Sequence, residues 1–298
     1  MLIKMHIPSQ YKRYLQSIHD RIELNKHDLY EFQQYQLGYE GELQFYERLL
    51  ALDICFIWDF QCKQNGWFQN DFLIFSRDKI IHIDVKNFTG IYHYEKGNLI
   101  KKGTSVYVDC FSQLNRAHMK LEHILNYLGK QYQVESKLLF INDTFRLNGF
   151  MQHEHVYYAH QLDELVSYLA RLPKYQRTDI KFAKQLIQHH ENDHPKEIIQ
   201  YYPFEKMNGG IRCPKCNKIG MTAATNSRYV RCDCGATISK KEAFMNMFNE
   251  ALLIKNEPLK CSELVDFTGL PERTVQRYLT QYANRIGNNR GTYYDGLK

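Results

Sequence analysis

Asp71, Asp84 and Lys86 are the residues of this 298-residue chain whose types and spacing most directly suggest chemistry. They lie in the stretch NDFLIFSRDKIIHIDVKN, from Asn70 to Asn87. Two apolar runs, Phe72 to Phe75 and Ile80 to Ile83, flank the polar tetrapeptide Ser76 to Lys79, which reads as a hairpin with a four-residue loop. If Phe75 pairs with Ile80, Asp71 falls opposite Asp84, and the two carboxylates share one sheet face roughly 5 Å apart at Cα. Lys86 joins that face two residues on. Like charges opposed on a ladder are destabilising and call for a cation. A hard divalent metal with oxygen ligands supplies one, beside which Lys86 can hold a water or steady a phosphate. The other use of the same residues is an ordinary solvated strand end, where Lys86 neutralises one carboxylate.

A second set is made of sulfur. Cys213 and Cys216 form one tight pair and Cys232 and Cys234 another, with fifteen residues between the pairs. In a reducing compartment this is the spacing by which two knuckles present four thiolates to a structural Zn²⁺; a disulfide framework is the alternative. The segment has few apolar residues, so metal binding is expected to supply its folding free energy. Cys55, Cys62, Cys110 and Cys261 are scattered and read as reduced thiols near cores. His189, His190 and His194 have no neighbouring cysteine and read as a solvated helix end.

Elements must position these groups. Residues 9–36 carry Tyr11, Tyr14, Leu15, Ile18 and Ile22 near helical spacing. The run GYEGE, 38–42, reads as a turn opening a helix that continues from Gln44 to Asp53. Ile54 to Trp58 is a short strand, Ile91 to Lys101 a second hairpin turning at Gly97-Asn98, and Phe111 to Tyr127 a helix ended by Gly129. Ser136 to Asn142 and His155 to His160 are further strands, and Asp163 to Leu172 is a helix stopped by Pro173. Helix, several mixed strands, helix and further strand make an α/β layer arrangement.

The C-terminal part changes character. Residues 206–298 hold 15 Lys and Arg against 8 Asp and Glu, so the whole excess of the chain's net charge of +6 lies there. That favours a polyanionic partner, nucleic acid above all. Cys261 to Leu270 and Pro271 to Tyr282 read as helix, Gly-containing turn, helix, with Ser262 as N-cap of the first. Two β-like segments around Asn288 to Gly291 follow as a wing would. Such a winged helix-turn-helix would offer Arg273, Gln276, Arg277 and the wing's Arg290 to nucleic acid; protein binding is the other use of such modules. No apolar run approaches a membrane span and no signal peptide is evident, so a cytoplasmic chain with no membrane partner is expected.

With GYEGE, Asn70-Asp71, Asp84-Val-Lys86-Asn87 and Thr89-Gly90 in this order, the chain resembles the nuclease-related domain family, NERD, of the PD-(D/E)XK nuclease superfamily, over roughly residues 36–165. The resemblance implies a restriction-endonuclease-like α/β core. It matches Glu42 to the helix carboxylate, Asp71 and Asp84 to the strand acids, Lys86 to the lysine and Gln113 to a helix glutamine. Asp84 stands where many members have Glu. It implies Mg²⁺ (or Mn²⁺) held by Glu42, Asp71 and Asp84, and hydrolysis of phosphodiesters in DNA, with RNA also admitted. The alternative is a DNA-binding regulator or adaptor whose NERD-like domain is inactive. The expected organisation is an N-terminal helical segment (1–35), the NERD domain (36–172), a helical linker (173–208), a zinc ribbon (209–240) and the winged helix-turn-helix (241–298).

Overall fold

The computed structural model describes residues 1–64, 66–104, 107–149, 155–223, 227–288 and 291–298. They fall into two compact units: Met1–Ser9 with Gln33–His194, and Gln10–Phe32 with Pro195–Lys298.

The first unit is built on a six-stranded mixed sheet. Its strands are β1 (Leu2–Lys4), β2 (Cys55–Cys62), β3 (Phe68–Ser76), β4 (Lys79–Lys86), β8 (Gln133–Phe140) and β10 (Val156–Tyr158), hydrogen-bonded in that order. The β2–β3 and β3–β4 pairs are antiparallel, whereas β1–β2, β4–β8 and β8–β10 are parallel. One face packs Ile74, Ile81 and Ile83 against Phe45 and Leu49 of α2 (Lys26–Leu49) and Leu165 and Leu169 of α4 (Leu162–Ala170). The other packs Leu73, Phe75 and Ile80 against Leu121 and Ile124 of α3 (Cys110–Tyr127) and Phe182 and Leu186 of α5 (Arg177–Leu186). Helices on both faces explain why the central strands read as near-continuous apolar runs. A smaller sheet, in the order β7 (Tyr107–Val108), β6 (Asn98–Lys101), β5 (Ile91–Glu95), β9 (Arg146–Asn148), completes the α/β unit.

The β3–β4 register follows the expected pairing, Phe75 with Ile80 and Phe72 with Ile83. The turn is tighter than expected. Ser76 pairs with Lys79, so only Arg77 and Asp78 are outside the ladder, and Arg77 takes φ 48°. Glu95 likewise pairs with Asn98, which moves the second turn to Lys96-Gly97, both at positive φ as a two-residue turn matched to strand twist requires.

The larger correction concerns GYEGE. It opens no helix; it lies inside the 24-residue α2. Gly41 is there for close approach, because a Cβ on it would come 2.7 Å from Asn87 Cβ. A helix glycine serves packing as well as turning, and the sequence pattern does not separate the two uses.

The second unit has one core. Tyr14, Leu15 and Ile18 of α1 (Gln10–Ile18), Phe244 and Phe248 of α6 (Lys240–Lys255), Leu264 and Phe267 of α7 (Cys261–Thr268), and Val275 and Leu279 of α8 (Glu272–Tyr282) meet in it. The cysteine-bearing hairpins, β11–β12 (Ile211–Arg212, Ile219–Met221) and β13–β14 (Tyr229–Arg231, Thr237–Ser239), add Ile211, Met221 and Val230 to the same core. The cysteine segment therefore shares in packing and does not depend on ligand bonds alone. Arg21, fully buried, donates to the carbonyls of Asn208 and Gly210, pairs with Glu250 and covers the Phe267 ring. The expected N-cap Ser262 lies within α7; Lys260 is the cap, and Glu263 accepts its N–H. Antiparallel β15 (Ala283–Ile286) and β16 (Tyr293–Leu297) follow α8 directly. Arg290 lies outside the described residues.

Candidate active site and thiol centre

β3 and β4 bring the strand acids together because their side chains alternate in step. Asp71 directly precedes the first β3 residue paired with β4, Phe72 opposite Ile83, and its Oδ2 accepts the Val85 N–H at 2.8 Å. Asp84 and Lys86 flank Val85, and Lys86 Nζ lies 2.6 Å from Asp84 Oδ1. That ion pair is the contact that the buried Oδ1 makes. α3 supplies the opposite wall through Gln113, Arg116 and Lys120, three residues on one helical face. These six side chains, with Trp67 to Gln69, line one cavity of about 250 Å³.

The electrostatics of the cavity are strained. Burial, then the Asp84 charge, push the Asp71 carboxyl up to about 7. Burial would lower Lys86, but Asp84 and Asp71 outweigh it and raise the group above its ordinary value, so it is a charged ammonium. Burial pushes the neighbouring His82 down to about 4, and its Nδ1 pairs with the Ser136 hydroxyl at 3.0 Å.

Glu42 is not among the residues that line this cavity. It projects from α2, and Trp58 Nε1 donates to its Oε2 at 2.7 Å. Burial, then the Asp71 charge, raise its carboxyl well above the ordinary range. Among the described residues, Glu42, Asp71 and Asp84 do not form a set as tight as the thiols described below. Each already has a protein partner.

Asp59 escaped sequence reasoning. It is a fully buried acid in the largely apolar β2, held at φ 65° between the Trp58–Phe72 and Phe60–Asn70 pairs, and so lies across from Asp71. The strands change faces there. Trp58 and Phe72 belong to the core on the α2 side, whereas Phe60 and Phe68, of the same parity, belong to the α3 side. Its carboxylate pairs with His6 Nδ1 at 3.0 Å and lies 3.6 Å from Lys4 Nζ, and Gln61 and Gln69 donate to it. Burial opposes the charged form, but the His6 bond and the Lys4 charge prevail and hold Asp59 below the usual aspartate range. A lone Asp within CFIWDFQC was the available signal. Arg116 and Lys120, three and seven residues after Gln113 on a helix, carried another.

The four thiols of Cys213, Cys216, Cys232 and Cys234 lie within 4.8 Å of one another. Burial opposes the thiolate of Cys213, yet backbone N–H groups of Cys216 and Lys215 and the neighbouring thiols bring it down to about 7. Four soft donors so gathered fit a metal ion. The three histidines do not gather: His190 Nδ1 accepts the Gln61 N–H at 3.1 Å.

In the second unit Arg273, Gln276 and Arg277 all stand exposed on α8. Gln276 donates to Glu272, and the Arg277 guanidinium lies 4.9 Å from the Tyr278 ring centre. No helix among the described residues is long and apolar enough to cross a membrane.

No curated protein and no solved structure matches the chain. A family model does match, and it covers the stretch that carries Glu42, the β3–β4 acids and Gln113: residues 37–141 match the nuclease-related domain, NERD.

Proposed function

We propose that the chain is a metal-dependent nuclease that hydrolyses DNA phosphodiesters in the cavity between β3, β4 and α3; the same chemistry admits RNA. The observation that carries the reading is the pair Asp71 and Asp84 in one cavity, Asp84 buried and Asp71 partly so, with Asp71 pushed up to about 7. Two such carboxylates are relieved by a cation. Hard oxygen donors suit Mg²⁺ or Mn²⁺, and Asp84 Oδ1, whose partner is the Lys86 ammonium, would be one of them. Asp71 and Asp84 would hold the ion, with Glu42 completing the seat from the α2 side. When bound, the ion supplies Lewis-acid neutralisation of the phosphate oxygens.

The chain's own groups do the rest. Lys86, charged, cannot take a proton; it donates to the attacking water or a phosphate oxygen and balances the charge that develops. Gln113 orients that water or the substrate. Arg116 and Lys120 give the α3 wall a positive face for the backbone.

In the second unit the thiol set would hold a structural Zn²⁺ as a zinc ribbon, since four thiolates leave no open position for catalysis. Helices α7 and α8 with the β15–β16 hairpin would act as a winged helix that presents Arg273, Gln276 and Arg277 to nucleic acid. Free thiols are in keeping with a cytoplasmic setting.

A second reading, a DNA-binding regulator with an inactive NERD domain, draws on the protein partners that Glu42, Asp71 and Asp84 already have. Purified protein given linear, circular and single-stranded DNA with Mg²⁺, then EDTA, separates the two. Cleavage that EDTA stops supports the nuclease; binding with no cleavage at any protein concentration supports the regulator.

A further inference from the structure

Beyond β10 lies a cavity of about 780 Å³ that none of the groups above uses. Its position follows from strand register. Lys86 pairs with Phe140 on β8, and Phe140 pairs with Tyr158 on β10. Aligned residues of parallel neighbours point to the same face, and two strand spacings put Tyr158 about 10 Å from Lys86 along the sheet. The β4–β8 and β8–β10 ladders end at these residues, so the cavity opens at the same end of the sheet as Lys86.

The lining suits a flat, polar-edged ring. Phe140, Phe145 and Tyr158 stack in series, with ring centres 4.3 Å apart for Phe140 and Phe145 and 5.8 Å for Phe140 and Tyr158. His160 extends the stack, its ring 5.8 Å from Tyr158 and 10° from parallel. Phe145 is buried, whereas His160 is exposed, so the series runs from the core to an open aromatic face. Asn142 and Gln161 put amide groups in the lining, where Gln161 Oε1 accepts the Tyr158 N–H, while Arg146 adds a cation and Asp143 a carboxylate. Asn142 also donates to Asn87, the residue after Lys86, at 2.8 Å, which ties the lining to the end of β4.

We propose that this cavity is a nucleobase pocket, seating one unpaired base of the strand whose phosphate lies at Lys86, against Tyr158 and His160. The proposal deepens the nuclease reading and rests on it for the choice of substrate. Stacking tolerates any base because every base has a π-face, and the polar lining would add preference among base edges. Nucleic acid with an unpaired nucleotide beside the cut would be the preferred substrate over continuous duplex.

The test uses single-stranded oligonucleotides that carry an abasic nucleotide, or 2-aminopurine, at one position at a time. Wild type should show one position near the cut where base loss weakens KM about tenfold with little change in kcat, the scale of one lost stack. At that position bound 2-aminopurine should be quenched. His160→Ala and Tyr158→Leu should abolish both effects, and Tyr158→Phe should keep them. Should Tyr158→Leu not fold, the exposed His160 carries the comparison alone. Cleavage that is indifferent to abasic position, or unaltered in the variants, overturns the pocket and leaves the nuclease reading intact. Quenching relieved by the variants, in a protein that cleaves nothing, overturns the nuclease reading and upholds the pocket. Absence of quenching at every position overturns the pocket.

Discussion

Gly41 of α2 touches Asn87, the residue after Lys86, so closely that a Cβ on the glycine would stand 2.7 Å from Asn87 Cβ and 3.1 Å from Ile141 Cγ2. Asn87 is fixed from both sides, donating to the Leu37 carbonyl and accepting from Asn142, each at 2.8 Å. Helix α2 and the end of β4 thus meet through the absence of a side chain.

Gly41→Ala therefore sets two effects against each other. Alanine improves helix propensity by about 1 kcal/mol. Overpacking at backbone-limited distance costs about 1–3 kcal/mol and shifts the segment after Lys86. A net loss of stability by urea denaturation is expected, with a fall in cleavage at temperatures where the variant is fully folded. A variant more stable than wild type with full activity contradicts this role of Gly41.

Asp59 should give the first unit an acid-sensitive anchor. Its folded pKa is depressed, so the carboxylate contributes stability above the unfolded value of about 4, and that contribution is lost as pH falls through the folded pKa. Asp59→Asn should be less stable than wild type at pH 7 by roughly 1–3 kcal/mol. The gap should narrow as pH falls below about 4. Thermal melts of the two proteins across pH check this; a gap independent of pH refutes it.

Much of this was legible in the sequence, and the exceptions have physical causes. The β3–β4 register and the meeting of Asp71, Asp84 and Lys86 followed from side-chain alternation, and the thiol set followed from ligand spacing, because both signals are local. The boundaries of α2 were hidden by Gly38 and Gly41, since the sequence does not say that Gly41 faces Asn87. Asp59 was hidden by the change of face in β2, where φ 65° breaks the alternation on which the reading depended. The wall formed by Arg116 and Lys120, and the alignment of Lys86 with Tyr158, depend on which strands are neighbours, and local pattern does not supply that.

The thiol set makes a prediction about the second unit. Ile211, Met221 and Val230 share a core with α6, α7 and α8, so Cys213→Ser should loosen the helices as well as the hairpins. Purified wild type should contain about one zinc per chain, in line with one four-thiolate site. Chelation or Cys213→Ser should speed proteolysis within residues 206–298 and spare the sheet of the first unit. Wild-type protein without bound zinc, with all four thiols freely reactive, would contradict the assignment.

Arg273 and Arg277 are expected to contact phosphates. Replacing both by Ala should reduce the slope of log affinity against log salt by up to about 1.8 on duplex DNA, at about 0.9 per contact. Binding titrations at several salt concentrations measure it. An unchanged slope makes α8 a surface for something other than nucleic acid.

The most direct measurement on the Asp71–Asp84 pair is Mg²⁺-dependent cleavage by purified Asp84→Asn protein beside wild type, with the fold of each verified by its melting curve. Removing one charge relieves the pressure on Asp71 but takes the nearest counter-charge from Lys86, so the rates are compared at a temperature where both proteins are folded. Its cleavage rate should fall by roughly a hundredfold or more, as expected when a group that stabilises transition-state charge is lost. Undiminished Mg²⁺-dependent cleavage by the folded variant would contradict the assignment of this cavity as the active site.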